Sequence, residues 1–160
     1  MRIVKLAHIF YRLASKTDLL QQLEALRPKL AQVAQKVYDE WDASDEVNGD
    51  WQVGTGGICH LIADAMLGVI YDNIPDIVAT TISSSYEVHV FCVVGRTTAN
   101  EEGDKEEDYY SIDIRPHVYE TGGGYSWKKI PDVIFTPDCV EIEWAEPLEL
   151  DENGDIKEIY

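Results

Sequence analysis

Positive charge is scarce in this chain. Thirteen Lys and Arg stand against 30 Asp and Glu, for a formal net charge of -17. A nucleic-acid partner needs a basic footprint on the phosphate backbone, so that class is excluded. Cysteine is also scarce, with only Cys59, Cys92 and Cys139. An odd, low count is not a disulfide framework; it suits a reducing compartment and leaves at least one free thiol. No C-x-x-C spacing occurs, and a zinc site built from Cys59, His89 and Cys92 would need both faces of one strand. No metal and no cofactor is therefore expected. No apolar run approaches the roughly 18–20 residues that span a bilayer. The opening "MRIVKLAHIFYRLASK" is interrupted by Lys5, His8, Tyr11 and Arg12, so it reads as an amphipathic helix rather than a signal peptide. The expectation is a cytoplasmic protein with no membrane partner. The loop "YETGGGYSWKKIP" has no phosphate-loop pattern and follows no βα unit, which argues against nucleotide binding.

What is present fits one domain over residues 1–150, followed by an acidic tail at 151–160. Residues 2–14 read as a short helix with Ile3, Leu6, Ala7, Phe10, Leu13 and Ala14 on one face. Thr17 offers an N-cap for a second helix, Pro28 should interrupt or kink it, and "KLAQVAQKVYDEWD" reads as a third. Another helix should run from about Ile58 to Tyr71. After Pro75 the chain turns β-branched and aromatic, in "IVATTIS", "YEVHVFCVVG", "DYYSIDIRP" and "PDVIFTPDCVEIEWAE". "VHVFCVV" is nearly continuous in apolar residues, as a central strand buried on both faces would be. The acidic "NEEGDKEEDYY" reads as a solvated connection. Helices first and then a mostly antiparallel sheet is an α+β arrangement, with one helix carrying Cys59 packed on the sheet.

Three residues carry potential chemistry. Cys59 opens its helix behind Gly54, Gly56 and Gly57. Unpaired N–H groups and the positive end of the helix dipole favour a thiolate there, and the glycines allow close approach of a substrate. His89 sits within the central strand, and Asp113 lies in the next one between Ile112 and Ile114. A buried imidazole and a buried carboxylate each need a partner, and a hairpin of these strands would supply one. Such a set fits a nucleophile, a base and an orienting carboxylate. The Cys59 N–H, with Gln52 upstream, would hold the acyl oxyanion. Trp51, Gly57, His117 and Trp127 complete the candidate substrate contacts, Trp127 as part of a flap over the site. Each residue has a plainer role: Cys59 as packed core, His89 as a satisfied core histidine, Asp113 paired with Arg115. His60 is expected to pair with Asp64 at the surface.

The order "GGICHLIADA", "VHVFCVV", "YSIDIRP" resembles the papain-like cysteine hydrolase superfamily, and is most similar to its transglutaminase-like and arylamine N-acetyltransferase branches. The resemblance covers about residues 51–117. The gap from His89 to Asp113 is long at 24 residues. The aromatic that usually follows the histidine is displaced to Phe91, and Gln52 stands seven residues before Cys59. The resemblance implies a papain-like fold and a cysteine-dependent peptidase, amidase or acyltransferase that works through an acyl-thioester on a peptide or amide, or on a protein. Two alternatives stand beside it: an inactive member of that fold that binds a basic protein through its acidic surface, and an accessory protein in which Cys59 is merely packed.

Overall fold

The computed structural model describes residues 2–43, 58–84, 89–99, 102–114, 134–149 and 151–153; for 2–18, and at 42 and 84, it describes the backbone alone. The described residues form α1 (Arg2–Asp42), α2 (Cys59–Asn73), β1 (Val78–Ser84), β2 (His89–Ala99), β3 (Lys105–Ile114) and β4 (Val140–Trp144), with a 3-10 turn at Pro137–Cys139 leading into β4. This is the expected α+β order. Among the described residues no helix is long and apolar enough to cross a membrane.

The three expected N-terminal helices are one helix that runs through Pro28. A proline inside a helix removes one N–H bond and costs about 3 kcal/mol. Against that stand Leu19, Leu23, Leu26, Leu30, Ala34 and Trp41, all buried at helical spacing on both sides of Pro28. Full burial of one leucine is worth about 1.5–3 kcal/mol, so the stripe outweighs the proline. The Arg27 guanidinium donates to the Glu24 carboxylate and to the Val140 carbonyl. The Phe135 N–H donates to Gln35 Oε1 at 2.8 Å. These contacts tie α1 to the chain entering β4.

The sheet is an antiparallel meander in the order β1-β2-β3-β4. Its register places Thr81 beside Cys92, Cys92 beside Ile112, and Ile112 beside Ile142. The two helices cover the face carrying Ala79, Cys92, Val94, Ile112, Ile114 and Val140. Val93 and Tyr109 point the other way, where Leu148 packs on them at 7% exposure and Ile82, Phe91 and Ala145 surround them. The Ala145 N–H donates to the Tyr109 carbonyl at 2.9 Å, which holds the segment after β4 across that second face. β2 is thus buried on both sides, as its apolar run suggested. Gly95 is required where it stands: a Cβ there would lie 2.1 Å from Tyr109 Cε1.

Two boundaries differ from expectation. The acidic connection is partly strand, because pairing continues to Ala99 and Lys105. Thr97 and Thr98 favour extended backbone, and the charged side chains alternate outward from the ladder. Among the described residues, the segment expected as a long last strand pairs only over Val140–Trp144. Pro137 has no N–H to give a ladder, and the chain turns there with the Cys139 N–H bonded to the Thr136 carbonyl at 2.9 Å.

Candidate active site

His89 and Asp113 meet. His89 Nε2 lies 2.8 Å from Asp113 Oδ2 and 2.9 Å from Oδ1. The strand register explains why. Cys92 faces Ile112, so Asp113 falls opposite Phe91, and His89 is its diagonal neighbour on the same face. The Ile114 N–H also donates to Asp113 Oδ1, at 2.8 Å, which fixes the carboxylate. With Nε2–H donating to the carboxylate, the ring's lone pair sits on Nδ1 in the neutral imidazole. The pair is only partly sheltered, with side chains 25% and 14% exposed. The Phe91 ring stacks beside the imidazole, at a centroid distance of 6.4 Å and an interplanar angle of 24°.

Cys59 is the first residue of α2 and is half-buried. Ile58 occupies the capping position with a side chain that offers no capping oxygen, and its carbonyl accepts the Ile62 N–H at 2.9 Å. The first-turn N–H groups stand around the thiol, as an electrophilic helix end requires.

One contact registers α2 on the sheet. The Cys92 thiol donates to the Ala63 carbonyl at 3.1 Å. Burial, together with the nearby Asp113 and Asp64 carboxylates, pushes that thiol up to about 12. Cys59 lies one turn, about 6 Å, N-terminal to Ala63. His89 lies three residues, about 10 Å, from Cys92. Both steps run toward the same end of the sheet, because α2 finishes beside the start of β1 and β1 pairs there with the far end of β2. Cys59 and the His89–Asp113 pair thus share one end of the sheet.

They do not share a face. His89 is three residues from Cys92, so it points away from α2, and among the described residues no hydrogen bond joins the Cys59 thiol to His89. The expectation that α2 lies on the His89 face is corrected here. The cause is strand parity: the apolar side chains Val90, Cys92 and Val94 take the helix side, which turns His89, Phe91 and Val93 to the other.

Trp51, Gln52, Gly57, His117 and Trp127 lie outside the described residues, as do Gly54, Gly56 and Arg115. His60 and Asp64 are both exposed on α2, and no ion pair joins them among the described residues. No group of three or more His, Cys, Asp or Glu suited to a metal ion occurs among the described residues. Glu141, directly across from Asp113 on β4, was not singled out from sequence; only the strand register reveals it. No known protein family, curated protein or solved structure matches this chain.

Proposed function

We propose that the protein is a cysteine-dependent hydrolase or acyltransferase of papain-like arrangement, with its centre at the end of the sheet where α2 begins. The observation that carries this is the His89–Asp113 couple, held at 2.8 Å at the end of the sheet toward which the Cys59-bearing start of α2 points. In this reading His89 Nδ1, on the opposite face of the sheet from α2, takes the Cys59 proton around the sheet's end through an intervening water. The sulfur attacks the acyl carbon of a peptide or amide, and the protonated imidazole returns the proton to the leaving amine. Water or a second amine then attacks the thioester, its proton passes to His89, and the thiol is restored. Asp113 holds the ring tautomer and offsets the imidazolium charge. The first-turn N–H groups of α2, with Gln52, receive the oxyanion.

Labelling with iodoacetamide at mildly acidic pH tests this. Cys59 should react well above the rate of a free cysteine, and His89→Ala should bring it down to that rate. A Cys59 that reacts no faster, or that is indifferent to His89→Ala, removes the enzyme reading.

A second reading has its own support. His89 faces away from α2, and the chain carries a net charge of -17. On this reading the same fold binds a basic protein through its acidic surface, without catalysis. Binding would then weaken with salt and be unaffected by Cys59→Ser.

A further inference from the structure

The two outer strands of the sheet differ in what guards them. β4 carries Glu141 and Glu143 within five residues. β1, at the other edge, reads Val-Ala-Thr-Thr-Ile-Ser-Ser, with no charge and no proline. Edge strands usually carry charge, proline or a bulge that refuses a further strand. On β1 one side chain from α2 takes that part. The Tyr71 hydroxyl donates to the Ala79 carbonyl at 2.6 Å and accepts from the Ala79 N–H at 3.2 Å.

That contact fixes the parity of the edge. In an antiparallel pair, alternate residues turn both N–H and carbonyl toward the neighbouring strand, and the residues between turn both away. Ala79 turns both away from β2, so Thr81 and Ser83 do the same. Among the described residues their N–H groups and the Ser83 carbonyl have no hydrogen-bond partner, and the Thr81 carbonyl accepts only from Thr80 Oγ1, at 3.4 Å. Ser83 is exposed and Thr81 half-buried. Tyr71 thus closes the edge at Ala79 and leaves it open from Thr81 onward. The open stretch leads toward the candidate site. Thr81 pairs with Cys92, which bonds the Ala63 carbonyl, and Ser84 pairs with His89. Cys59 lies one turn beyond Ala63, toward the same end of the sheet as Ser83.

We propose that the edge of β1 at Thr81 and Ser83 takes an extended peptide as an added strand and so leads the substrate chain to the end of the sheet that holds Cys59. The two outward residues offer four backbone hydrogen bonds over about 7 Å. That suits a short segment that must leave after each turnover. It falls far short of the roughly 1,200 Å² that a stable interface buries, and a second copy would bring its own charge of -17 against the first. Backbone pairing reads shape before sequence, so the substrate class is an unfolded or extended segment, neutral or basic rather than acidic. Its role as substrate rests on the Cys59 reading; the strand pairing does not.

The test uses the full chain with Cys59→Ser, which removes the chemistry and leaves the edge. A pooled library of random hexapeptides, blocked at both ends, is passed over the immobilised protein, beside the same library with every backbone amide methylated. The plain library should be retained at least about tenfold more than the methylated one. Thr81→Pro removes one outward donor and spares the β1–β2 ladder, because that N–H takes no part in it. It should bring retention down to the methylated level. If that variant fails to fold, hydrogen exchange decides: the library should slow exchange of the Thr81 and Ser83 amides and leave the Ala79 amide unchanged. Equal retention of the two libraries, retention unchanged in folded Thr81→Pro, or exchange unchanged at Thr81 and Ser83 overturns the proposal. So does concentration-dependent dimerisation that Thr81→Pro abolishes, which would make a second copy the occupant. Failure of the iodoacetamide test with retention intact would remove the enzyme and keep the strand site; a reactive Cys59 without retention would do the reverse.

Discussion

The three cysteines are chemically distinct although the sequence lists them alike. Cys92 and Cys139 are buried, and Cys59 is half-buried at a helix start. Thiolate is the reactive form, and burial pushes the Cys92 thiol up to about 12, so Cys92 should stay unmodified in the native protein at neutral pH. Mass mapping after brief alkylation should find the label on Cys59, with Cys92 labelled only after unfolding. The same shift sets a pH dependence. The folded thiol titrates above its ordinary value of 9.0, so its contribution to stability is complete below that pH. It is lost as pH rises from about 9 toward 12. Denaturant midpoints should fall across this window, and Cys92→Ala should flatten the early part of the fall. At Gly95 the packing is tighter still. Gly95→Ala would drive a methyl group into the Tyr109 ring and should cost about 1–3 kcal/mol or more by urea denaturation. The His89–Asp113 pair was legible in sequence, because a carboxylate between two isoleucines demands a partner. The face it occupies was not, since that depends on which of two alternating apolar sets the helices cover.

Among the elements, α1 is where local rules and tertiary packing disagree. Pro28 argues for a break, and the buried leucines on both sides override it. Pro28→Ala should therefore stabilise the fold, by about 1–3 kcal/mol once the lost rigidity of the unfolded chain is deducted. Leu23→Ala should cost about 2–5 kcal/mol, as at a fully buried site. Both are read from chemical denaturation curves. The strands were legible by composition, since β-branched and aromatic runs stood apart from acidic and glycine clusters. Their ends were less so. Threonines carried β2 past the apolar run, and Pro137 shortened the last strand, because backbone pairing rather than hydrophobicity decides where a ladder stops.

For the whole molecule the ruling quantity is charge. At -17 and a sequence pI near 4.4, the folded state works against its own repulsion. Moderate salt should raise the thermal midpoint by screening it, and a midpoint indifferent to salt between low and physiological ionic strength would contradict this. The α+β class followed from the order of segments. The meander order and the packing of the segment after β4 on the second face did not, because no local signal records which strands become neighbours.

The ties between α1 and β4 bear on how the chain reaches this state. The sheet is built from sequence neighbours, so β1 to β3 and α2 can form with short loop closures. Arg27 meets Val140 across 113 residues, and Gln35 meets Phe135 across 100. These closures lose the most chain entropy and come late. Arg27→Ala and Gln35→Ala should then leave the refolding rate nearly unchanged and speed unfolding, so that the docking of α1 acts as the latch on kinetic lifetime rather than the seed of folding.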